Sequence, residues 1–135
     1  MLRLIRHILI ACSVLSLVGC ADLVTRSEAL TKAPAGGVTY HLQGQVEGAP
    51  VGGQSRLLPQ GSVWRAFGTI PEGDVYRPQG MILTAEAMNV HEAYIVVQNG
   101  HWVGFWLPAE NAFVANATPV GIQLIPEVQD RKSVV

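Results

Sequence analysis

Little in this chain is charged: 14% of its residues are Asp, Glu, Lys or Arg, against a usual ~25%. With 49% apolar residues, so sparse a charge excludes an intrinsically disordered chain, which stays open only when charge is high and apolar content low. Basic residues are in no excess either. The net charge is −1, whereas a nucleic-acid-binding surface needs a basic footprint to offset phosphate. Cysteine is limited to Cys12 and Cys20, enough for one disulfide at most. Also missing are a Gly-x-Ser-x-Gly nucleophile elbow and a glycine-rich loop that would cradle phosphate ahead of a helix. The length, 135 residues, corresponds to about one domain.

What is there begins with Arg3, Arg6 and His7, followed by an apolar run over residues 8–18. A basic segment and a short apolar one make the plan of a secretory signal peptide, and the run falls short of the ~20 residues a membrane span needs. It ends on Leu17-Val18-Gly19-Cys20. These four residues resemble the lipobox of bacterial lipoproteins. The resemblance implies cleavage between Gly19 and Cys20, diacylglycerol on the Cys20 sulfur and acylation of the new amino terminus. In the sorting rule of enteric bacteria, Asp directly after the cysteine retains a lipoprotein at the inner membrane. Ala21 stands there and Asp22 follows, so the resemblance favours the outer membrane, with the domain facing the periplasm.

Cleavage would change the chemistry of what remains. Arg3, Arg6 and Cys12 would leave with the signal, residues 1–19, so the mature chain is more acidic and keeps Cys20 as its sole cysteine. The exported domain is therefore expected to fold without a disulfide, in a compartment that permits one. Residues 20–37 are polar and close on Pro34, Gly36 and Gly37. They read as the lipidated N-terminus and a flexible tether with a reach of ~20–25 Å. Residues 38–126 form the expected β domain, and residues 127–135 a polar tail.

Within the domain, strands are expected over residues 38–46, 62–70, 74–77, 80–85 and 120–125, with a Gly- and Pro-rich loop over 47–61 and a helical turn as an alternative over 85–89. The clearest element spans residues 90–107, where two β-branched and aromatic runs flank Asn99-Gly100, the pair that best accommodates positive φ in a two-residue turn. That turn pairs Val97 with Trp102, Ile95 with Gly104, Tyr94 with Phe105 and Ala93 with Trp106. Alternation then sorts His91, Ala93, Ile95, Val97, Trp102, Gly104 and Trp106 onto an apolar core face. Glu92, Tyr94, Val96, Gln98, His101, Val103, Phe105 and Leu107 fall on a mixed, partly open face. The fold class expected is mainly β, a small antiparallel barrel or sandwich of about six strands around the hairpin at Asn99-Gly100.

Candidate chemistry is thin. A zinc site needs three or four converging ligands, and His91 and His101 fall on opposite hairpin faces while His41 lies in another strand. The Asn116-Ala117-Thr118 sequon has no bearing on a bacterial lipoprotein. No metal, cofactor or catalytic residue is assigned. Tyr94, His101 and Phe105 are the candidate interaction face, because a large apolar patch left open marks an interface. These features imply a membrane-anchored, non-enzymatic envelope lipoprotein whose β module docks to an envelope protein through that face or an open sheet edge. The alternative is a small-ligand or glycan binder of the cell wall.

Overall fold

The protein is described by a computed structural model covering residues 22–128. Gly19, Cys20 and the signal region lie outside the described residues, as does the tail from residue 129. The described chain contains strands and no helix, and every strand pairing is antiparallel. In chain order the strands are β1 (Arg26–Ser27), β2 (Thr31–Lys32), β3 (Thr39–Leu42), β4 (Val46–Gly48), β5 (Arg56–Leu58), β6 (Val63–Ile70) and β7 (Gly73–Gln79). There follow β8 (Thr84–Glu86), β9 (Val90–Glu92), β10 (Tyr94–Gln98), β11 (His101–Leu107), β12 (Ala112–Gly121) and β13 (Leu124–Pro126).

The centre is a sheet in the order β6-β7-β10-β11-β12, with β3 and then β13 continuing beyond β6. Its turns follow from local chemistry. Pro71 and Glu72 link β6 to β7, closed by Gly73 at φ 152°. Asn99 at φ 51° and Gly100 at φ 73° link β10 to β11, the left-handed pair that the turn type requires. Asn111, at φ 48°, completes the connection to β12.

The hairpin register departs from the expected one. Gln98 faces His101 and Val97 faces Trp102, but then Val96 faces Gly104, Ile95 faces Phe105 and Tyr94 faces Trp106. Val103 is an extra residue, a bulge. A slip of one position turns every following side chain to the other face. Trp102, Phe105 and Leu107 therefore share a cluster with Ala93 and Ile95, while Trp106 joins Tyr94 and Val96 on the opposite side. The expectation of one core face holding both tryptophans and one open face holding Phe105 is corrected accordingly.

Both sheet faces are buried. The larger cluster adds Leu42, Leu58, Trp64, Leu83, Ala85 and Val114, so that the small β4–β5 and β8–β9 hairpins lie over the sheet. The smaller cluster, Ile70, Val75, Tyr94, Val96, Trp106 and Phe113, comes from the sheet alone, with Leu30, Phe67 and Val103 packed against it. A sheet that buries its own side chains against one another must curl. The curl is not closed by pairing of its outer strands. β1 instead pairs with β12 and β2 with β6, so residues 26–32 strap one side of the curl to the other. Leu30 sits between these two attachments and caps the smaller cluster. Residues 22–33, expected within a flexible tether, are thus part of the fold, because the two sides of the curl offer unpaired backbone groups for them to bond.

Other elements also differ from the sequence reading. Residues 47–61 contain the β4–β5 hairpin. β7 runs through Pro78, and residues 84–86 are extended where a helical turn was the alternative. The largest addition is β12, ten residues beginning at Ala112. Opposite Val103 its ladder to β11 jumps from Ala115 to Val120. Across the gap the Asn116 side chain donates to the Trp102 carbonyl at 2.8 Å, and Ala117 donates its backbone N–H to the Ala49 carbonyl at 2.8 Å. Pro119 is tolerated there because it owes no ladder bond.

Gly104 is what lets the bulge pack. A Cβ on it would overlap the Val114 carbonyl and the Phe113 ring, and the Trp102 indole N–H donates to its carbonyl at 2.9 Å. Gly104→Ala is expected to lower stability by about 1–3 kcal/mol through overpacking, read as a fall in urea midpoint. Gly121→Ala, where an added Cβ meets nothing within 4 Å, should leave that midpoint nearly unchanged.

Candidate functional site

The residues expected to make an exposed interaction face do not stand together. Phe105 is wholly buried, its ring edge-on to Trp102 with centroids 5.1 Å apart. Tyr94 is buried in the other cluster against Phe67, at 4.9 Å between centroids. Only His101 is exposed, beside the turn, where its Nδ1–H donates to the Asn99 carbonyl at 3.0 Å. The bulge is the cause: it sends Phe105 inward on one side of the sheet while the smaller cluster covers Tyr94 on the other.

Polar chemistry gathers instead along the N-terminal segment. Asp22 meets the turn between β8 and β9, where the Asn89 side-chain amide donates to its Oδ2 at 2.9 Å and the Asn89 backbone N–H reaches Oδ1 at 3.4 Å. His91, in β9, lies between two carboxylates. Its Nε2 is 3.1 Å from Asp22 Oδ2 and its Nδ1 is 2.9 Å from Glu110 Oε1. Those bonds, with Glu110 the stronger influence and Asp22 the next, raise the His91 pKa above its usual value. The same geometry holds the Asp22 carboxyl well below the carboxylate range, chiefly through the Asn89 amide. Protonated, His91 donates from both nitrogens and ties the start of the described chain to β9 and the β11–β12 loop. With both ring nitrogens occupied, it has no free position from which to act as a base.

A second cluster fixes the middle of the strap. Arg26 reaches Glu28 at 3.3 Å and Glu72, in the β6–β7 turn, at 3.4 Å. Glu28 Oε2 and Glu72 Oε2 are buried without another hydrogen-bond partner. Desolvation, then the hydrogen bond and like charge of Glu72, push the Glu28 carboxyl up to about 7 despite Arg26. Two acids so placed are satisfied by sharing one proton. A third polar link joins the small hairpins, where Arg56 donates to the Thr84 carbonyl at 2.9 Å and pairs with Glu86.

A shallow cleft of about 540 Å³ lies at the other end of β10, lined by Gln43, Gln45, Val46, Gly100, Ile122 and Gln123. Among the described residues no group of three or more His, Cys, Asp or Glu side chains is placed to hold a metal ion. His41, His91 and His101 lie in three separate strands, β3, β9 and β11. No protein-family model matches the chain, and neither a curated protein nor a solved structure does.

Sequence reasoning missed the Asp22–His91–Glu110 and Glu28–Glu72 clusters because their members lie 69, 19 and 44 positions apart. The one signal was the polar run after Cys20, which holds both Asp22 and Glu28 and was read as tether.

Both clusters give stability a defined pH dependence. His91 has a raised folded pKa, so its contribution is complete below the unfolded value of 6.5 and is lost as pH climbs through the folded one. Glu28 holds its proton up to about 7 in the fold but releases it near 4.5 when unfolded, so the folded state loses ground from pH 4.5 to 7 and not beyond. The urea midpoint is expected to fall from pH 5 to pH 8. Glu28→Gln, which keeps a donor for Glu72, should raise the midpoint at pH 8 and flatten the lower part of that decline. His91→Leu should remove the part above pH 6.5. A midpoint that rises with pH over this range would contradict both assignments.

Proposed function

We propose that this chain is a lipid-anchored protein of the bacterial cell envelope, acylated on Cys20 after cleavage behind Gly19, and that its β domain serves as a non-enzymatic interaction or structural module. The observation that carries the reading is Leu17-Val18-Gly19-Cys20 closing a basic and then apolar N-terminal segment. Ala21 beside Cys20 favours the outer membrane, with the domain in the periplasm.

Support for a binding rather than catalytic role comes from how the polar groups are used. His91 and the paired acids bond elements of the fold to one another. An envelope partner would dock by strand addition at β13, which ends the sheet among the described residues. A second reading, a glycan-binding lipoprotein, is favoured by the three glutamine amides lining the 540 Å³ cleft, a donor and acceptor set suited to sugar hydroxyls.

Mass spectrometry of the mature N-terminal peptide is expected to find diacylglycerol and a further acyl chain on Cys20, in protein fractionating with outer membranes. Cys20→Ala should abolish the modification and leave uncleaved precursor. Unmodified Cys20 in a soluble periplasmic pool would sink the anchor assignment. Binding of cell-wall glycan that survives Cys20→Ala but is lost in Gln43→Ala/Gln123→Ala would establish the second reading.

A further inference from the structure

We propose that the surface around Asp22 is a lipid-docking face, with Met88, Val90, Val24 and Val51 seated in the headgroup layer of the membrane that holds the Cys20 lipid. The inference rests on the reading of Cys20 as an acylated residue and adds what that reading leaves open, the orientation of the domain.

The first argument is where Asp22 is held. Asp22 is held by Asn89 and His91, and it stands two positions after Cys20. Two residues span at most about 7 Å. Acyl chains on Cys20 must therefore enter the bilayer close to the β8–β9 turn. A tether reaching ~20 Å would leave orientation free, but a chain pinned at Asp22 does not.

The second argument is what surrounds that point. Met88 and Val90 flank Asn89 in the turn and are 60% and 67% exposed. On the other side, Val24 is 70% and Val51 41% exposed, and the two line one apolar recess with Phe113 and Ala115. Leu23 is buried between these groups, against the 50–54 loop, where a Cβ on Gly53 would lie 2.9 Å from its side chain. Four large apolar side chains thus stand in solvent around Asp22, the held residue nearest to Cys20. Apolar groups on an interfacial surface settle about 5–10 Å into the headgroup boundary.

The third argument is charge. Carboxylates near a membrane surface oppose docking, and three of those near this face are engaged, Asp22 and Glu110 with His91 and Glu86 with Arg56, while Glu92, exposed in β9 beside Val90, has no ion pair among the described residues. Arg26 borders the Val24–Val51 recess with its side chain 66% exposed, and beyond its pairs with Glu28 and Glu72 the guanidinium fork keeps further N–H donors that can meet lipid phosphate.

The test uses the full lipidated protein, from which Cys12 has left with the signal and in which Cys20 is capped by lipid. Met88→Cys, Val90→Cys and Gln123→Cys are labelled singly with an environment-sensitive fluorophore. Gln123 is exposed in the β12–β13 link, which lies beside the β10–β11 turn through the Ile122 N–H to Gly100 carbonyl bond, the opposite end of β10 from His91. In vesicles of phosphatidylethanolamine and phosphatidylglycerol, labels at 88 and 90 should shift to the blue and be quenched by shallow spin-labelled lipid several times more strongly than the label at 123. Near-ultraviolet circular dichroism matching the wild type establishes that each variant is folded. Equal, water-like emission at all three positions, with Cys20 acylation verified by mass spectrometry, overturns the docking face and leaves the anchor standing. Absent acylation overturns both. A blue shift at 88 and 90 in detergent without vesicles, together with crosslinked dimers, assigns the face to a second copy of the chain and also overturns the proposal.

Discussion

Val103 has no partner across the β10–β11 ladder, and the burial of both sheet faces depends on the reversal that this one residue produces. Before the bulge Trp102 points into the larger cluster; after it Phe105 and Leu107 do, while Trp106 points the other way. An unbroken ladder would place both indoles on one face and three large side chains on the other. With the bulge, each cluster receives one indole from β11. The cost is a gap in the β11–β12 ladder, and local groups close it: the Trp102 indole bonds the Gly104 carbonyl, and Asn116 bonds the Trp102 carbonyl. A fully desolvated carbonyl without a partner would cost about 1–3 kcal/mol, so these two side-chain bonds are what make the bulge affordable.

Curling follows from the second cluster. Its residues come from β6, β7, β10, β11 and β12, and none of the small hairpins contributes. Such a curl leaves two flanks, β6 and β12, whose backbone groups need partners. The N-terminal segment supplies them with two short strands and drops Leu30 between. A strap of this kind is held weakly by backbone pairing alone, given strands of only two residues each. Two side chains and one more backbone bond supply the rest. Asp22 bonds Asn89 in the β8–β9 turn, Arg26 pairs with Glu72 in the β6–β7 turn, and the Glu28 backbone N–H donates to the Asn111 carbonyl.

How much of this was legible in the sequence varied with the range of the cause. The Asn99-Gly100 turn was readable because positive φ at two adjacent positions is a local demand that few residue pairs meet, and both angles are positive. β6 and its turn at Pro71 were readable for the same reason. β12 was not, because Ala112, Ala115, Asn116, Ala117 and Pro119 carry weak strand propensity, and the strand exists through its neighbours. The bulge left one trace, Gly104, whose need for a close approach was evident while its effect on register was not. The strap was invisible: polar residues before a Pro-Gly stretch describe a linker as well as they describe an edge strand. The candidate face failed for two reasons: the bulge sends Phe105 to the other side of the sheet from Tyr94, and the curl buries Tyr94 in the smaller cluster.

That misreading of the strap bears on how an anchored domain would behave at a membrane. A tether of seventeen or so free residues sets a domain loose in a volume, and its affinity for anything at the lipid surface is then diluted over all orientations. A domain fixed at Asp22 has surrendered that freedom within its own fold, through bonds whose cost is spread over His91, Asn89 and Glu110. The bonds are strongest when His91 is charged, and the Glu28–Glu72 pair is best satisfied when it shares a proton. Both attachments therefore loosen in the same direction, as pH rises. Under the proposed anchoring at Cys20, orientation at the lipid surface and firmness of the strap would become one physical property, since the residues that hold the strap to the sheet would also decide which side of the domain the anchor leaves from.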